Sequence, residues 1–248
     1  MFVEPCFYDI HTHILPGMDD GARDIKTSLD MLSEAKKQGC LGIVATPHYY
    51  PRESIDSFRV RRREAYQTLI QAIKKKDSFW DGRIVLGAEV AYHQTLVQDN
   101  DLHKLCLGQS EYLLLEPPFM PWSSGFIRNI HHMIYGRGFQ VIIAHIERYK
   151  TYADKKVLHG LFSTGALIQM DAEALLFPGK GRRAISMIRK GMIDVLGSDM
   201  HNTGSRPANI GPALARLGKS RAAQDIQMLI DNSERIFSRA AGVVERSK

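Results

Sequence analysis

No run of about 18 apolar residues occurs anywhere in the 248-residue chain, so a hydrophobic membrane-spanning helix is excluded. The opening residues, Met1-Phe2-Val3-Glu4-Pro5, lack the basic and apolar parts of a signal peptide. Cysteine is scarce. Cys6, Cys40 and Cys106 form no close pair, and an odd count without spacing argues against a disulfide scaffold and for reduced thiols in a cytoplasmic protein. There is no repeat, linker or low-complexity stretch, so residues 1–248 are expected to form a single domain. A domain of that size buries roughly three quarters of its unfolded surface, enough for a full core.

Charge is present in both signs, with an excess of 33 Lys and Arg over 27 Asp and Glu that gives +6. The basic residues are scattered, apart from those at 59–63 and 74–76 within one predicted helix. A solvated helix face explains that cluster better than a nucleic-acid footprint, and the net charge suits an anionic substrate.

Seven short β-like runs fall near 7–10, 41–45, 83–88, 111–115, 139–144, 166–170 and 193–197, with helical periodicity between most of them. Residues 24–38 place Ile25, Leu29, Leu32 and Ala35 on one face and stop at Gly39. Helices are also expected over 55–76, 124–135, 153–162 and 182–190. The tail from 207 should form two or three more, broken at Gly218 and around Asn232-Ser233. Apolar strands alternating with helices make a parallel sheet with covered faces. Seven units fit a closed or nearly closed (β/α) barrel, whose active site would sit at the C-terminal strand ends.

Chemistry-bearing residues stand at those ends. Five of the ten histidines follow apolar runs. His11 and His13 lie two apart, so a strand would point both imidazoles to one side. His48 follows the stiff Thr46-Pro47, His145 follows the run ending at Ala144, and Asp199 and His201 repeat the two-residue spacing. Glu89 and Glu116 each end an apolar run, where a carboxylate is costly to bury without a cation. Within Asp19-Asp20-Gly21 the favoured ligand is Asp20, with Asp19 the alternative or a helix cap. Asp9 either orients an imidazole or pairs with backbone. Asp171 ends the sixth run as an outer partner. Nitrogen and carboxylate ligands on successive strands make a polynuclear metal site. Arg148 and Arg206 sit close behind ligand motifs, and their guanidinium forks match phosphate oxygens. The other histidines, His93, His103, His131, His132 and His159, read as structural or solvated.

Several segments carry a resemblance: Asp-Ile-His-Thr-His-Ile-Leu-Pro-Gly-Met-Asp-Asp-Gly-Ala at 9–22, Ala-Thr-Pro-His at 45–48 and Gly-Ala-Glu at 87–89. They are followed by Ile-Ala-His-Ile-Glu-Arg-Tyr at 143–149 and Gly-Ser-Asp-Met-His-Asn at 197–202, with Arg206-Pro207. In order and content they resemble the polymerase and histidinol phosphatase superfamily, and within it the bacterial metal-dependent protein-tyrosine phosphatases of capsule and exopolysaccharide biosynthesis. The resemblance implies a distorted seven-stranded barrel holding three divalent ions. His11, His13, Glu89 and Asp199 would hold the first; Glu89, Glu116 and His145 the second; Asp20, His48 and His201 the third. Arg148 and Arg206 would bind phosphate, with Asp199 beside them in catalysis. Mixed oxygen and nitrogen ligation suits manganese, with iron and zinc as alternatives. The implied partner is a phosphotyrosine protein, the C-terminal tail of a bacterial tyrosine kinase. Neither nucleic acid nor membrane insertion is expected, and a homo-oligomer is compatible with the resemblance. The rival reading is a small-molecule phosphatase of the histidinol-phosphatase type on the same site. A cysteine phosphatase needs Arg six residues after Cys, and those positions are Thr12, Thr46 and Tyr112.

Overall fold

The computed structural model describes residues 6–177 and 179–243. In chain order they form β1 (Phe7–Thr12), α1 (Ile25–Lys37), β2 (Cys40–Ala45), β3 (His48–Tyr49), α2 (Ile55–Lys76), β4 (Ile84–Leu86) and β5 (Glu89–Ala91). There follow β6 (Tyr112–Glu116), α3 (Ser124–His131), β7 (Gln140–Ile143), α4 (Lys155–Phe162), β8 (Leu167–Asp171), α5 (Glu173–Leu176), α6 (Lys180–Arg189), β9 (Val195–Gly197), α7 (Ile210–Gly218) and α8 (Ile226–Ala240). No helix among these residues is long and apolar enough to cross a membrane.

Strands pair in the orders β1-β2-β4 and β3-β5-β6-β7-β8-β9, and every pairing is parallel. Two of the seven expected runs, 41–45 and 83–88, are each followed by a second short strand that was not expected. Thr46-Pro47 separates β2 from β3, and Gly87-Ala88 separates β4 from β5. Proline has no N–H for the ladder, which accounts for the first break. The sheet curls until its first and last strands meet. Thr12 bridges Met200, the Asp199 N–H donates to His11 O, and the His13 N–H donates to Met200 O, both at 3.0 Å.

Helix α1 starts where the Asp24 carboxylate accepts from the Thr27 N–H, and it stops at Gly39, whose φ is +90°. Helix α2 starts at a Ser54 cap and spans the expected residues. Its basic face is not wholly solvated, contrary to expectation. Arg62 is buried and donates to Gly87 O at 2.5 Å and to Lys104 O at 3.3 Å. Burial lowers its pKa to about 10. The guanidinium thus satisfies a carbonyl that the β4–β5 break leaves out of the ladder. The expected break around Asn232-Ser233 does not occur either, because α8 runs through it. Asn232 donates to Asp194 O and Ser233 to Ile230 O, so both polar side chains are satisfied on a continuous helix.

Alternation along the strands sorts their residues into two apolar layers. Leu113, Leu115, Val141, Ile143, Ile168 and Met170 pack outward against helices. Ile10, Val44, Leu114, Ile142 and Val195 face inward, and Ile236, Phe237 and Ala240 of α8 join them. Phe237 stacks on Tyr8 with ring centroids 4.6 Å apart. A Cβ on Gly42 would stand 2.5 Å from that ring, so only glycine fits there. Helix α8 therefore plugs the end of the sheet opposite the C-terminal strand ends.

Candidate metal centre

At the other end, the inward residue that follows each apolar one is polar. Leu114 is succeeded by Glu116, Val85 and Gly87 by Glu89, and Val195 and Gly197 by Asp199. Two positions depart from simple alternation. Ile10 points inward, so His11 would point outward; the β1–β2 register slips between Asp9 and Thr12, and both His11 and His13 reach the mouth. Ala144 also points inward, and His145 follows it with φ +34°. Asp199 has φ +52°. These are the only described non-glycine residues in the left-handed region, a costly conformation that clusters at functional sites.

The mouth brings all nine expected ligands together. Eight of them fall into three sets: His11, His13, Glu89 and Asp199; His13, Asp20, His48 and His201; and His48, Glu89 and Glu116; the ninth, His145, lies against Glu89. In the first set, the Nε2 atoms of His11 and His13 are 3.3 Å apart. Each lies 3.2–3.4 Å from Glu89 Oε2 and Asp199 Oδ1. A point inside a tetrahedron with such edges is about 2 Å from every corner, the length of a bond from a first-row metal to nitrogen or oxygen. Around Glu89, His145 Nε2 lies 2.7 Å from Oε1, and it is 3.7 Å from Glu116 Oε1. His48 also enters there, its Nδ1 being 3.0 Å from Glu89 Oε2. Asp20 Oδ1 is 3.2 Å from His201 Nε2 and 3.5 Å from His48 Nε2.

Outer partners fix which ring nitrogen faces the cluster. His13 Nδ1 donates to Asp19 at 2.7 Å, His11 Nδ1 to the Gln169 carbonyl oxygen at 3.2 Å, and His201 Nδ1 to Asp199 O at 2.9 Å. Each leaves Nε2 free for an ion. Asp19 caps no helix, a role that Asp24 takes, and stands outside the three sets; it accepts from His13 Nδ1 and from the Gly21 and His48 N–H groups. Asp9 takes the second of its expected roles, accepting from the backbone of His11 and Ser198. Gln169 was not singled out as functional in the sequence, yet it accepts from both His11 Nδ1 and the His145 N–H. A polar residue in the middle of an apolar strand was the available signal. Tyr149 was missed as well. Its ring lies against His145 at 5.7 Å, and its buried hydroxyl has no hydrogen-bond partner.

The electrostatics call for cations. Burial works to raise the pKa of Glu89 and of Asp199, but the neighbouring His11 and His13 hold both well below the carboxylate range. Burial likewise opposes the charged form of His11, yet Glu89 and Asp199 lift it to about 9. His201 goes the other way, to about 4, because of burial and the charge of His13. Glu89 Oε2, Asp199 Oδ1 and His201 Nε2 are buried atoms without hydrogen-bond partners. Such groups need compensation, and ions at the three sets would provide it. The donor set fits divalent metal.

Arg148 and Arg206 arrive at one atom. Arg206 Nη2 is 2.5 Å from Asp199 Oδ2, and Arg148 Nη2 contacts the same oxygen while reaching Asp171 at 2.5 Å. Asp171 also accepts from Gln169 Nε2, which makes it the outer partner expected. The other five histidines stay out of the cluster and are exposed; His93 caps a short turn by accepting from the Thr95 N–H. Cys6 is exposed, Cys40 and Cys106 are buried, and none is near a disulfide partner.

A curled parallel sheet with buried histidines and carboxylates at its C-terminal mouth defines an α/β protein of metal-site type. Residues 7–238 match the family described as capsular polysaccharide synthesis, CpsB/CapC, and the chain belongs to that family. It is 31% identical to the tyrosine-protein phosphatase YwqE of Bacillus subtilis, over 91% of this chain and 89% of the relative. It is 28% identical to the tyrosine-protein phosphatase CpsB of Streptococcus pneumoniae, over 92% and 97%. One of the crystal structures of those two proteins, described as metal-dependent tyrosine phosphatases, superposes with a TM-score of 0.80 at 28% identity, covering 93% of this chain and 94% of that one. An amidohydrolase from Mycoplasma synoviae, at 14% identity and TM-score 0.55, shares the fold alone.

Proposed function

We propose that the chain is a metal-dependent protein-tyrosine phosphatase that acts in capsular or exopolysaccharide synthesis. The observation that carries this reading is the convergence of nine candidate histidine and carboxylate ligands with two arginines at one mouth. On this reading residues 1–248 are one domain, and its nine strands make one distorted seven-stranded barrel when β2 with β3 and β4 with β5 each count as one interrupted strand. It would hold three divalent ions. His11, His13, Glu89 and Asp199 would hold the first, Glu89, Glu116 and His145 the second, with His48 beside them, and Asp20, His48 and His201 the third. Manganese suits this mixture of oxygen and nitrogen donors best, with iron and zinc as alternatives. The substrate is a phosphotyrosine protein, the C-terminal tail of a bacterial tyrosine kinase, met in the cytoplasm; a homo-oligomer is compatible.

When bound, the ions supply Lewis acidity and lower the pKa of water towards about 7. The chain's own residues do the rest. Asp199 holds both guanidinium groups at the mouth, where they present N–H donors to phosphate oxygens. The donors are already oriented, so little reorganisation accompanies the redistribution of charge on the phosphoryl group. Tyr50 lies along the His48 ring at 5.3 Å and Phe119 against Tyr149 at 5.0 Å, both about half exposed. An aromatic rim suits the flat ring of phosphotyrosine, and this favours it over a small aliphatic phosphate. The histidinol-phosphatase type remains the second reading because the same centre would serve it. Elemental analysis of the purified protein, paired with turnover of phosphotyrosine peptide against histidinol phosphate, separates the two. Chelators should abolish turnover and iodoacetamide should not; rapid inactivation that tracks one cysteine would sink the mechanism.

A further inference from the structure

Arg148 faces two ways. One face meets Asp199 in the metal centre, and the other forms part of the wall of a cavity of about 970 Å³ between α4, α5 and α6. The floor of that cavity is apolar, with Leu158, Phe162, Met170 and Met187. Lys150, Lys155, Arg183 and Lys190 stand around it, all exposed. None of the four makes an ion pair among the described residues. The wall also holds acidic groups. Asp171 is bound to Arg148, and Glu147 accepts from the Asp171 N–H, which leaves Glu173 facing the four cations.

Two features set the chemistry of what fits. The volume is that of a ligand pocket of the larger kind, much beyond a single anion. Four cations facing a single free carboxylate above an apolar floor leave a positive excess, which favours an occupant with carboxylates and at least one apolar side chain. Continuity through Arg148 places that occupant directly beside the group held in the metal centre. We infer that this groove binds the acidic segment adjoining the phosphotyrosine of the polypeptide substrate. Its carboxylates lie against Lys150, Lys155, Arg183 and Lys190, and an apolar residue rests on Phe162 and Met187. The inference rests on the phosphotyrosine-phosphatase reading and adds a recognition site to it. The groove selects the sequence around the phosphotyrosine; the metal centre does the chemistry.

The test uses the full chain loaded with manganese and three substrates. They are p-nitrophenyl phosphate, too small to reach the groove, a phosphotyrosine peptide with Asp and Glu flanking the phosphotyrosine on both sides, and its counterpart with Gln and Asn there. The wild type should prefer the acidic peptide by about tenfold in kcat/KM, the sum of a few surface pairs, and lose the preference in high salt. The combined variant Lys155→Glu, Arg183→Glu, Lys190→Glu should remove the preference through KM and keep kcat on p-nitrophenyl phosphate. That kcat reports folding, and Lys155→Glu alone should move the preference part of the way if the triple variant is unstable. Equal use of both peptides by the wild type overturns the inference, as does a preference that survives charge reversal. If no phosphate ester is turned over at all, the phosphatase reading fails instead. Anisotropy of the labelled acidic peptide then decides the groove separately: binding that charge reversal abolishes supports it, and its absence overturns it.

Discussion

The same strands run through two different solvents. In their lower half Ile10, Val44, Leu114, Ile142 and Val195 meet in a dry cluster sealed by Phe237 and Ile236 of α8. In their upper half His11, His13, Glu89, His145 and Asp199 are just as buried, at 3% exposure or less. Burial is equal, yet the lower half is stabilised by removing apolar surface from water, whereas the upper half pays desolvation that its own hydrogen bonds do not fully return. The upper half also holds both described non-glycine residues in the left-handed region. The comparison teaches that the lower half supports the fold and the upper half depends on bound cations. The groove beside Arg148 is a third environment, half-open and basic, which extends the upper half outward.

The sharpest way to break this contrast is to change Glu89, which stands among four histidines, His11, His13, His48 and His145, that lie within 3.3 Å of its carboxylate. Glu89→Gln should lose metal by elemental analysis, and turnover should fall at least about 10³-fold, the scale of several kcal/mol of charge stabilisation. A loaded, active Glu89→Gln protein would dismiss the bridging role.

The arginines come next. Arg148→Ala or Arg206→Ala should each lower turnover of phosphotyrosine peptide by about 10²–10³, and lysine should rescue only partly. Because each leaves the other on Asp199, single variants should keep their metal, while the double variant should shed some. Metal loss in a single variant would recast that arginine as structural.

Gln169→Leu keeps the volume but strips partners from His11 Nδ1 and the His145 N–H. A loss of about 10–100-fold in metal affinity is expected, read by competition with a chelator. Unchanged affinity would mean that the packing alone orients those imidazoles.

The metal-free protein should also respond to pH. His11 is raised to about 9, with His13 and His48 raised too. Their stabilisation is complete below the unfolded value near 6.5 and fades as pH climbs through about 9. His201, lowered to about 4, opposes this between 6.5 and 4. Thermal melting in chelator should therefore drop from pH 6.5 to 9, and the drop should vanish with metal bound, since the ion replaces the protons. A flat metal-free profile would contradict the coupling.

The smallest effect on chemistry should come from the lower half. Phe237→Ala should cost about 3–5 kcal/mol of stability while leaving metal content and kcat unchanged below the melting transition. Altered metal content in that variant would show that the two halves are coupled.

What the sequence by itself determined was the alternation of strands and helices and the placement of ligand residues at the strand ends. Apolar periodicity and covalent spacing are local, so the 55–76 helix and the candidate ligands His48, Glu89 and Glu116 were legible from their own segments. The long-range contacts were decided only by tertiary structure. Asp19 orients His13 because its loop folds back onto β1, and Gln169 serves two histidines because β8 lies between their strands. Arg62 leaves its solvated row because a broken strand presents the carbonyl of Gly87. The register slip in β1 turns inward His11 and His13, and the left-handed turn at His145 turns inward a third imidazole, all of which alternation alone would send out. Helix α8 passes over Asn232 and Ser233 because Asn232 donates to Asp194 O and Ser233 accepts from the Tyr8 N–H. Each of these is a partnership between segments far apart in the chain, and a local pattern cannot carry it.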